Sequence, residues 1–370
     1  MIISQSIRNT KNQLFNFLIL SCALLGNAAF SQDLDDEVVV KEITDLFKDQ
    51  EALPLKLNYS NKKVKFDTND STYLATDLSY QEADGTWTSL EVDIRARGNF
   101  RRKNCYYAPI KMKIRKSEAA QTLFDGNKRL KLVLPCFDCK NANDYIIKEY
   151  MAYKLYELIS PYHFKTRLVS LNFTEIKGKR TKSHQLKAIL VEDIKKVADR
   201  HHGNVFKRHM KPMTQDPLTS VQNAFFQYMI ANTDFSTTFQ HNQKQLFADQ
   251  KILPVPYDFD MSGLVNSDYA VVSKVQNRVL PIEEVTDRLY KGFERDKKVF
   301  QAVREAFLAN KSSLFEAIDA QRPYFKSFGE FNKARDFIAG FYRIIENDKK
   351  YNNDIVSAAR TVVTARTRAK

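Results

Sequence analysis

The sequence predicts an α+β protein with a sheet-rich N-terminal lobe and a mainly helical C-terminal lobe. Three observations predict it. Short alternating apolar and charged runs dominate residues 56–135, helix-period segments occupy 143–160 and 218–233, and the pattern after about 280 is helical almost to the end.

Taken in order, Leu90, Val92, Ile94 and Ala96 alternate with Glu91, Asp93, Arg95 and Arg97. Ile110, Met112 and Ile114 alternate with Lys111, Lys113 and Arg115. Both runs read as half-buried strands, and a hairpin would set their charged faces side by side. In 143–160, Ile147, Met151, Leu155 and Leu158 recur at helical spacing, with Asn143 as the expected N-cap and Pro161 just past the end. Strands follow at about 166–176 and 185–192 around the basic turn KGKRTK. A nearly apolar helix covers 218–233, and a strand pair is expected at 244–248 and 252–257. The C-terminal helices include FQAVREAFLANKSSLFEAI.

The chain has 370 residues, a net charge of +14 and only ten glycines, no two within ten residues of each other. Glycine-rich phosphate loops of the G-x-G-x-x-G and G-x-x-x-x-G-K kinds are thereby excluded. With 43% hydrophobic and 12% aromatic residues, disordered and collagen-like classes are excluded too.

Arg8 and Lys11, the apolar run 14–24 and Ala29-Phe30-Ser31 form the three parts of a secretory signal peptide over 1–31. Lipid attachment at Cys22 is the alternative, though Leu20 before Ser21 fits a lipobox poorly. No later stretch is apolar enough to span a membrane. The expected product is exported: periplasmic, secreted or associated with the cell envelope. Residues 32–55 read as a lead-in, 56–280 as the core and 281–370 as a helical extension. Cys105, Cys136 and Cys139 remain after the signal. An odd number in an oxidising compartment points to one structural disulfide, with one thiol left over.

The chemistry is expected at Tyr257-Asp258-Phe259-Asp260, the end of the strand ILPVPYDFD. If the strand continues, both carboxylates share a face, where they repel unless a cation separates them. Magnesium suits such a pair, because it accepts one or two carboxylates and leaves room for phosphate oxygens. An exposed polar strand end is the plainer alternative. Upstream, Asn232-Thr233-Asp234 and His241-Asn242 close a loop between a helix and the strand pair. One aspartate to orient an acceptor hydroxyl, with an asparagine and a second aspartate on the metal, is the logic of phosphoryl transfer. Lys111, Lys113, Arg95 and Arg97 offer a phosphate cradle of side chains in place of glycine amides. They also read as a solvated face with cross-strand ion pairs.

Arg97-Gly98-Asn99, the strand 110–113, the helix 146–155, Val191-Glu192-Asp193, Asn232-Thr233-Asp234 with His241-Asn242, and Tyr257-Asp258-Phe259-Asp260 occur in an order that resembles the spore-coat CotH kinase family. The resemblance covers roughly residues 90–265. It implies an atypical secreted protein kinase with a reduced, kinase-like two-lobed fold, using ATP and Mg2+ or Mn2+ to phosphorylate a protein, such as an envelope or surface protein. By matching position, Asp234 would be the catalytic aspartate and Asp258 the metal ligand. Asn242 and Asp260 are further candidate ligands. Lys111 or Lys113 would contact the nucleotide phosphates with Arg97 beside them, and Glu192 would lie at the hinge by the adenine. Phe100-Arg101-Arg102 stand where the family has small hydroxyl residues, and Lys148 where it has an arginine.

Two other classes share these residues. A binding module would dock an anionic envelope polymer or partner on the basic face, which keeps about +12 after the signal, with no specific nucleic acid implied. A phosphohydrolase would use the same carboxylates to release phosphate, although His241 is the only histidine near them.

Overall fold

The computed structural model describes residues 43–98, 100–275 and 278–361. The signal-peptide and Cys22 expectations, residues 32–42 of the lead-in and Asn99 of the RGN motif lie outside the described residues. The described residues belong to one compact unit.

The elements run α1 (Asp45–Lys48), β1 (Leu53–Tyr59), α2 (Asn61–Phe66), β2 (Leu74–Gln81), β3 (Trp87–Ala96), α3 (Phe100–Asn104), β4 (Ile110–Ile114), α4 (Lys116–Ala119) and β5 (Arg129–Val133). Then come α5 (Ala142–Ile159), β6 (Thr166–Lys177), β7 (Arg180–Glu192), α6 (Ile194–Arg200), β8 (Asn204–Phe206) and α7 (Pro217–Met229). The remainder is β9 (Gln243–Ala248), β10 (Lys251–Pro256), the short pair β11 (Lys274–Val275) and β12 (Arg278–Val279), then α8 (Lys297–Ala309), α9 (Lys311–Asp319), α10 (Phe328–Ile345) and α11 (Asp348–Tyr351).

Strands β1 to β7 close into a barrel in the order β1-β2-β3-β4-β5-β7-β6. The closing pair, β1 with β6, is parallel, and the long excursion between them supplies the connection a parallel pair requires. The other barrel pairs are antiparallel. Alternation decides what faces inward: Leu55, Leu78, Val92, Ile94, Ile110, Met112, Leu130, Leu132, Leu171 and Leu190 fill the interior. β9 pairs with both β10 and β8 in a second, three-stranded sheet.

The two-lobed kinase-like arrangement expected above is overturned by this topology. The sheet is a closed barrel, and the C-terminal helices do not make a separate lobe. β7 shows why. Ala188 and Leu190 point into the barrel, whereas Ile189 and Val191 join a second core with α5, α7, α8 and α10. One strand is therefore a wall of both cores, and its run AILV is continuously apolar because both faces are covered. Helix α5 is buried on nearly every side for the same reason, packed between β6 and β7 and the helices α7, α9 and α10.

Local expectations fare unevenly. β1 begins at Leu53, inside the segment read as lead-in. Asn143 is not the N-cap of α5. It sits within the first turn, and its Oδ1 accepts from the Lys187 backbone N–H at 2.8 Å. Most of KGKRTK is strand, with the β6–β7 turn confined to Gly178-Lys179. The disulfide joins Cys105 to Cys136 and leaves Cys139 free and exposed. A bridge of this kind suits an oxidising compartment. Among the described residues no helix is long and apolar enough to cross a membrane.

Candidate active site

Helix α7 stops at Met229, and Ala231 turns the chain through a left-handed conformation (φ 48°). The following residues are held from behind by buried amides. Gln243 Oε1 accepts from Asn223 Nδ2 at 2.7 Å, and Asn223 Oδ1 accepts from Gln227 Nε2 at 3.3 Å. Gln227 Oε1 accepts from Asn232 Nδ2 at 2.8 Å, and Asn232 Oδ1 accepts from the Asp234 backbone N–H at 3.0 Å. All four amide side chains are buried, so each is committed to this chain of bonds. It fixes the backbone at Asp234.

The Asp234 carboxylate receives Asn242 Nδ2 on Oδ2 at 2.9 Å, and His241 Nε2 lies 3.2 Å from Oδ1. Ser273 donates to Oδ1 at 3.4 Å. Burial opposes ionisation of Asp234. The His241 hydrogen bond, the charges of His241 and Lys291 and the Ser273 bond outweigh it, and hold the carboxyl below its ordinary value. The same bond raises His241. Asp234 and Asn242 are thus brought together as expected, and His241 joins them.

Asp258 and Asp260 do not share a strand face. β10 ends at Pro256, and Asp258 adopts a left-handed conformation (φ 66°) with its N–H donated to the Tyr153 hydroxyl at 3.0 Å. Phe259 is driven into the core against Tyr153 and Phe226. The two residues differ in exposure. Among the described residues no protein group donates to the half-buried carboxylate of Asp258, whereas Asp260 is buried. The Tyr257 N–H donates to the Asn242 carbonyl at 3.0 Å, which ties this turn to the Asp234 loop. Gly263 tightens the tie. Its N–H bonds the Ala231 carbonyl at 3.1 Å, and a Cβ there would stand 2.7 Å from the Val285 carbonyl oxygen.

Asp260 meets Arg101 of α3, whose Nε lies 3.7 Å from Oδ2, and Tyr269 donates to the same oxygen at 3.2 Å. Arg101 also approaches Glu149 of α5 at 4.0 Å and donates to the Leu134 carbonyl. Burial pushes both Glu149 and Asp260 above the ordinary carboxylate range, with neighbouring aspartates adding to it and Arg101 opposing. Among the described residues Glu149 Oε1 and Arg101 Nε and Nη1 have no hydrogen-bond partner. Lys148 turns the opposite way and pairs with Glu330 at 2.6 Å.

The cationic side is built from the outer barrel face. Arg95 pairs with Lys111, and Lys111 with Lys131, straight across β3, β4 and β5. Lys113 stands 3.6 Å over the Tyr73 ring, across from Asp93 of β3. The lysine nearest this turn is Lys131, packed over the rings of Tyr257, the residue before Asp258, at 4.4 Å and Phe164 at 4.7 Å. Burial pushes its ammonium down to about 7, with the charges of Arg97 and Lys244 adding and those of Asp258 and Asp193 opposing. Arg97, next to the left-handed Gly98 (φ 78°), therefore sits with Lys131 and Lys244. Lys111 is Lys131's cross-strand neighbour. Glu192 is bound up elsewhere, accepting from Arg200 at 2.8 Å and from the Lys165 N–H at 2.7 Å.

Sequence reasoning missed Lys131, Lys244, Arg101 and Glu149 as members of the site. RLKLV at 129–133 carries the same apolar–basic alternation as IKMKI, and it was the available signal for Lys131. Among the described residues no three His, Cys, Asp or Glu side chains converge into a ready-made metal cage. One open carboxylate beside an asparagine fits Mg2+, which takes few protein ligands and completes its shell with water and phosphate oxygens. No model of a known protein family matches this chain, and neither characterised proteins nor solved structures yield a match.

Proposed function

We propose that this chain is an exported phosphotransferase that moves the γ-phosphate of ATP, with Mg2+ or Mn2+, to a hydroxyl group of a protein. The observation that carries the reading is the Asp258 carboxylate. It has no protein donor among the described residues, Lys131 lies over the ring of the preceding Tyr257, and the Tyr257 N–H ties its turn to Asn242, which bonds Asp234. An unpaired carboxylate opposite crowded cations suits a ligand that is anionic and carries its own metal. The order of motifs shared with CotH kinases supports the same chemistry, and the disulfide supports a periplasmic, secreted or envelope setting.

In this reading Lys131 and Arg97 bind the phosphates, and Asp258 with Asn242 Oδ1 would hold the cation. Bound there, the cation would neutralise charge on the phosphate oxygens. Asp234, fixed by His241 and the amide chain, accepts the hydrogen bond of the acceptor hydroxyl. The acceptor oxygen bonds to the γ-phosphorus as the bond to the bridging oxygen breaks. ADP leaves with that electron pair, and the hydroxyl proton passes to Asp234. Its depressed basicity makes it an orienting group that takes the proton late.

Calorimetric titration with a non-hydrolysable ATP analogue, with and without Mg2+, tests the reading. Binding that needs the cation and is lost in Asp258→Asn is expected. No binding to the wild-type chain, or equal binding by the variant, overturns it.

A further inference from the structure

Lys207, Arg208, His209 and Lys211 form an exposed run with no acidic residue from 205 to 214. None of Lys207, Arg208 or Lys211 has a carboxylate within salt-bridge distance among the described residues, although exposed lysines elsewhere do, such as Lys311 with Glu346 and Lys333 with Glu330. Like charges crowded on one loop repel, and the repulsion is relieved when an anion lies along them.

This strip is joined to the candidate active site by one small hairpin. Ser236 and His241 exchange backbone hydrogen bonds at 3.0 and 3.1 Å. His241, at one end of that hairpin, pairs with Asp234. At its tip Phe239 is 61% exposed, with its ring 6.3 Å from that of His209. Gln240 Nε2 donates to the Arg208 carbonyl at 2.8 Å, which pins the tip to the basic loop. Phe239, five residues after Asp234, thus offers an exposed ring beside cations that have no carboxylate partner.

We infer that the strip is the acceptor-docking surface, and that its occupant is an acidic peptide segment with an apolar residue set against Phe239. The inference rests on the phosphotransferase reading for the word acceptor; the docking itself does not need nucleotide. Four residue steps separate Lys207 from Lys211, which span at most about 14 Å of extended chain. That length matches four or five residues of a peptide, whose alternate carboxylates reach the cations while the neighbouring hydroxyl enters beside Asp234. It is short for a nucleic acid track, which uses a longer basic groove and stacked rings. The positive path continues inward through Lys244, whose ammonium Lys207 and Arg97 both push down beyond the effect of burial.

The test is fluorescence anisotropy of a labelled ten-residue Glu/Asp-rich peptide containing one leucine and one serine, with the mature chain and no ATP. Wild-type protein should bind it, and more weakly as salt rises from 20 to 200 mM on the scale of a screened surface interaction (Debye length about 20 to 7 Å). Lys207→Glu/Lys211→Glu should lose affinity by about tenfold or more, Phe239→Ala by a smaller factor, and Lys113→Met, a cation outside the strip, should bind as wild type does. Thermal melts of the charge-reversed protein should match wild type, since these side chains are exposed and unpaired. Equal binding by wild type and the charge-reversed variant overturns the inference. So does tighter binding of an oligonucleotide of equal charge, or no peptide binding at low salt. If nucleotide binding fails while peptide docking and its charge dependence hold, the phosphotransferase reading falls and the docking surface stands.

Discussion

Removing the side chain of Gln227 tests how the loop of Asp234 is held. Gln227 bonds Asn232 at 2.8 Å and Asn223 at 3.3 Å, and all three are buried. Gln227→Met keeps the volume and orphans two groups, Asn232 Nδ2 and Asn223 Oδ1. Asn232→Leu orphans Gln227 Oε1 and the Asp234 N–H. Each orphaned buried group costs about 1–3 kcal/mol, so either single variant loses about 2–6 kcal/mol. The double variant leaves only Asn223 Oδ1 and the Asp234 N–H unpaired. It therefore falls short of the sum of the singles by two orphan costs, a coupling of at least about 2 kcal/mol. Urea unfolding of the four proteins at one pH measures it. A coupling under about 0.5 kcal/mol would show that the amides are not a linked chain, and would refute the account of how Asp234 is positioned.

Other outcomes follow from the same structure. Burial opposes ionisation of Glu157, but His163, whose Nε2 lies 3.4 Å away, and the charges and hydrogen bonds of Lys154 and Lys165 prevail and hold its carboxyl well below the ordinary range. A depressed carboxylate stabilises the fold above its unfolded pKa of about 4.5 and loses that contribution as pH falls. Glu157→Gln should therefore cost stability at pH 7, and the gap to wild type should close steadily in acid melts below about pH 4. The Cys105–Cys136 bridge closes a 31-residue separation, for which chain entropy gives about 3–4 kcal/mol. Reduction, or Cys105→Ser with Cys136→Ser, should lower the unfolding free energy by that amount, and reductant should not affect the double variant further. Lys131→Met should weaken binding of the Mg2+–ATP analogue by about 10- to 100-fold, as expected for loss of a hydrogen bond to a charged group. Lys113→Met, whose ammonium sits over Tyr73, should change it little in the same titration.

Strand faces were legible because burial imposes a period of two, so Ile110, Met112 and Ile114 declared the barrel interior. Barrel closure was not legible. Alternation tells which side a residue faces and is silent on which strand lies beside it, and the β1–β6 pair spans more than a hundred residues of chain. The shared wall at β7 was hidden for a related reason, since a run buried on both faces has no alternation to read. Asp234 and Asn242 were found together because their spacing encloses one short hairpin. The turn that ends the strand before Asp258 was out of reach, because the left-handed conformation at that aspartate is accompanied by a bond to the hydroxyl of Tyr153, a hundred residues upstream. Arg101 looked like part of an exposed basic run. It is buried only because Leu134, Glu149 and Asp260 converge on it from three other segments.

Phosphate transfer itself is the most direct measurement. The mature chain is incubated with γ-labelled ATP, Mg2+ or Mn2+ and dephosphorylated casein as an acidic acceptor, beside Asp234→Asn. The account predicts label on casein from the wild-type protein and at least a hundredfold less from the variant. Equal incorporation by the two proteins, or none by the wild type in the presence of bound nucleotide, would contradict it.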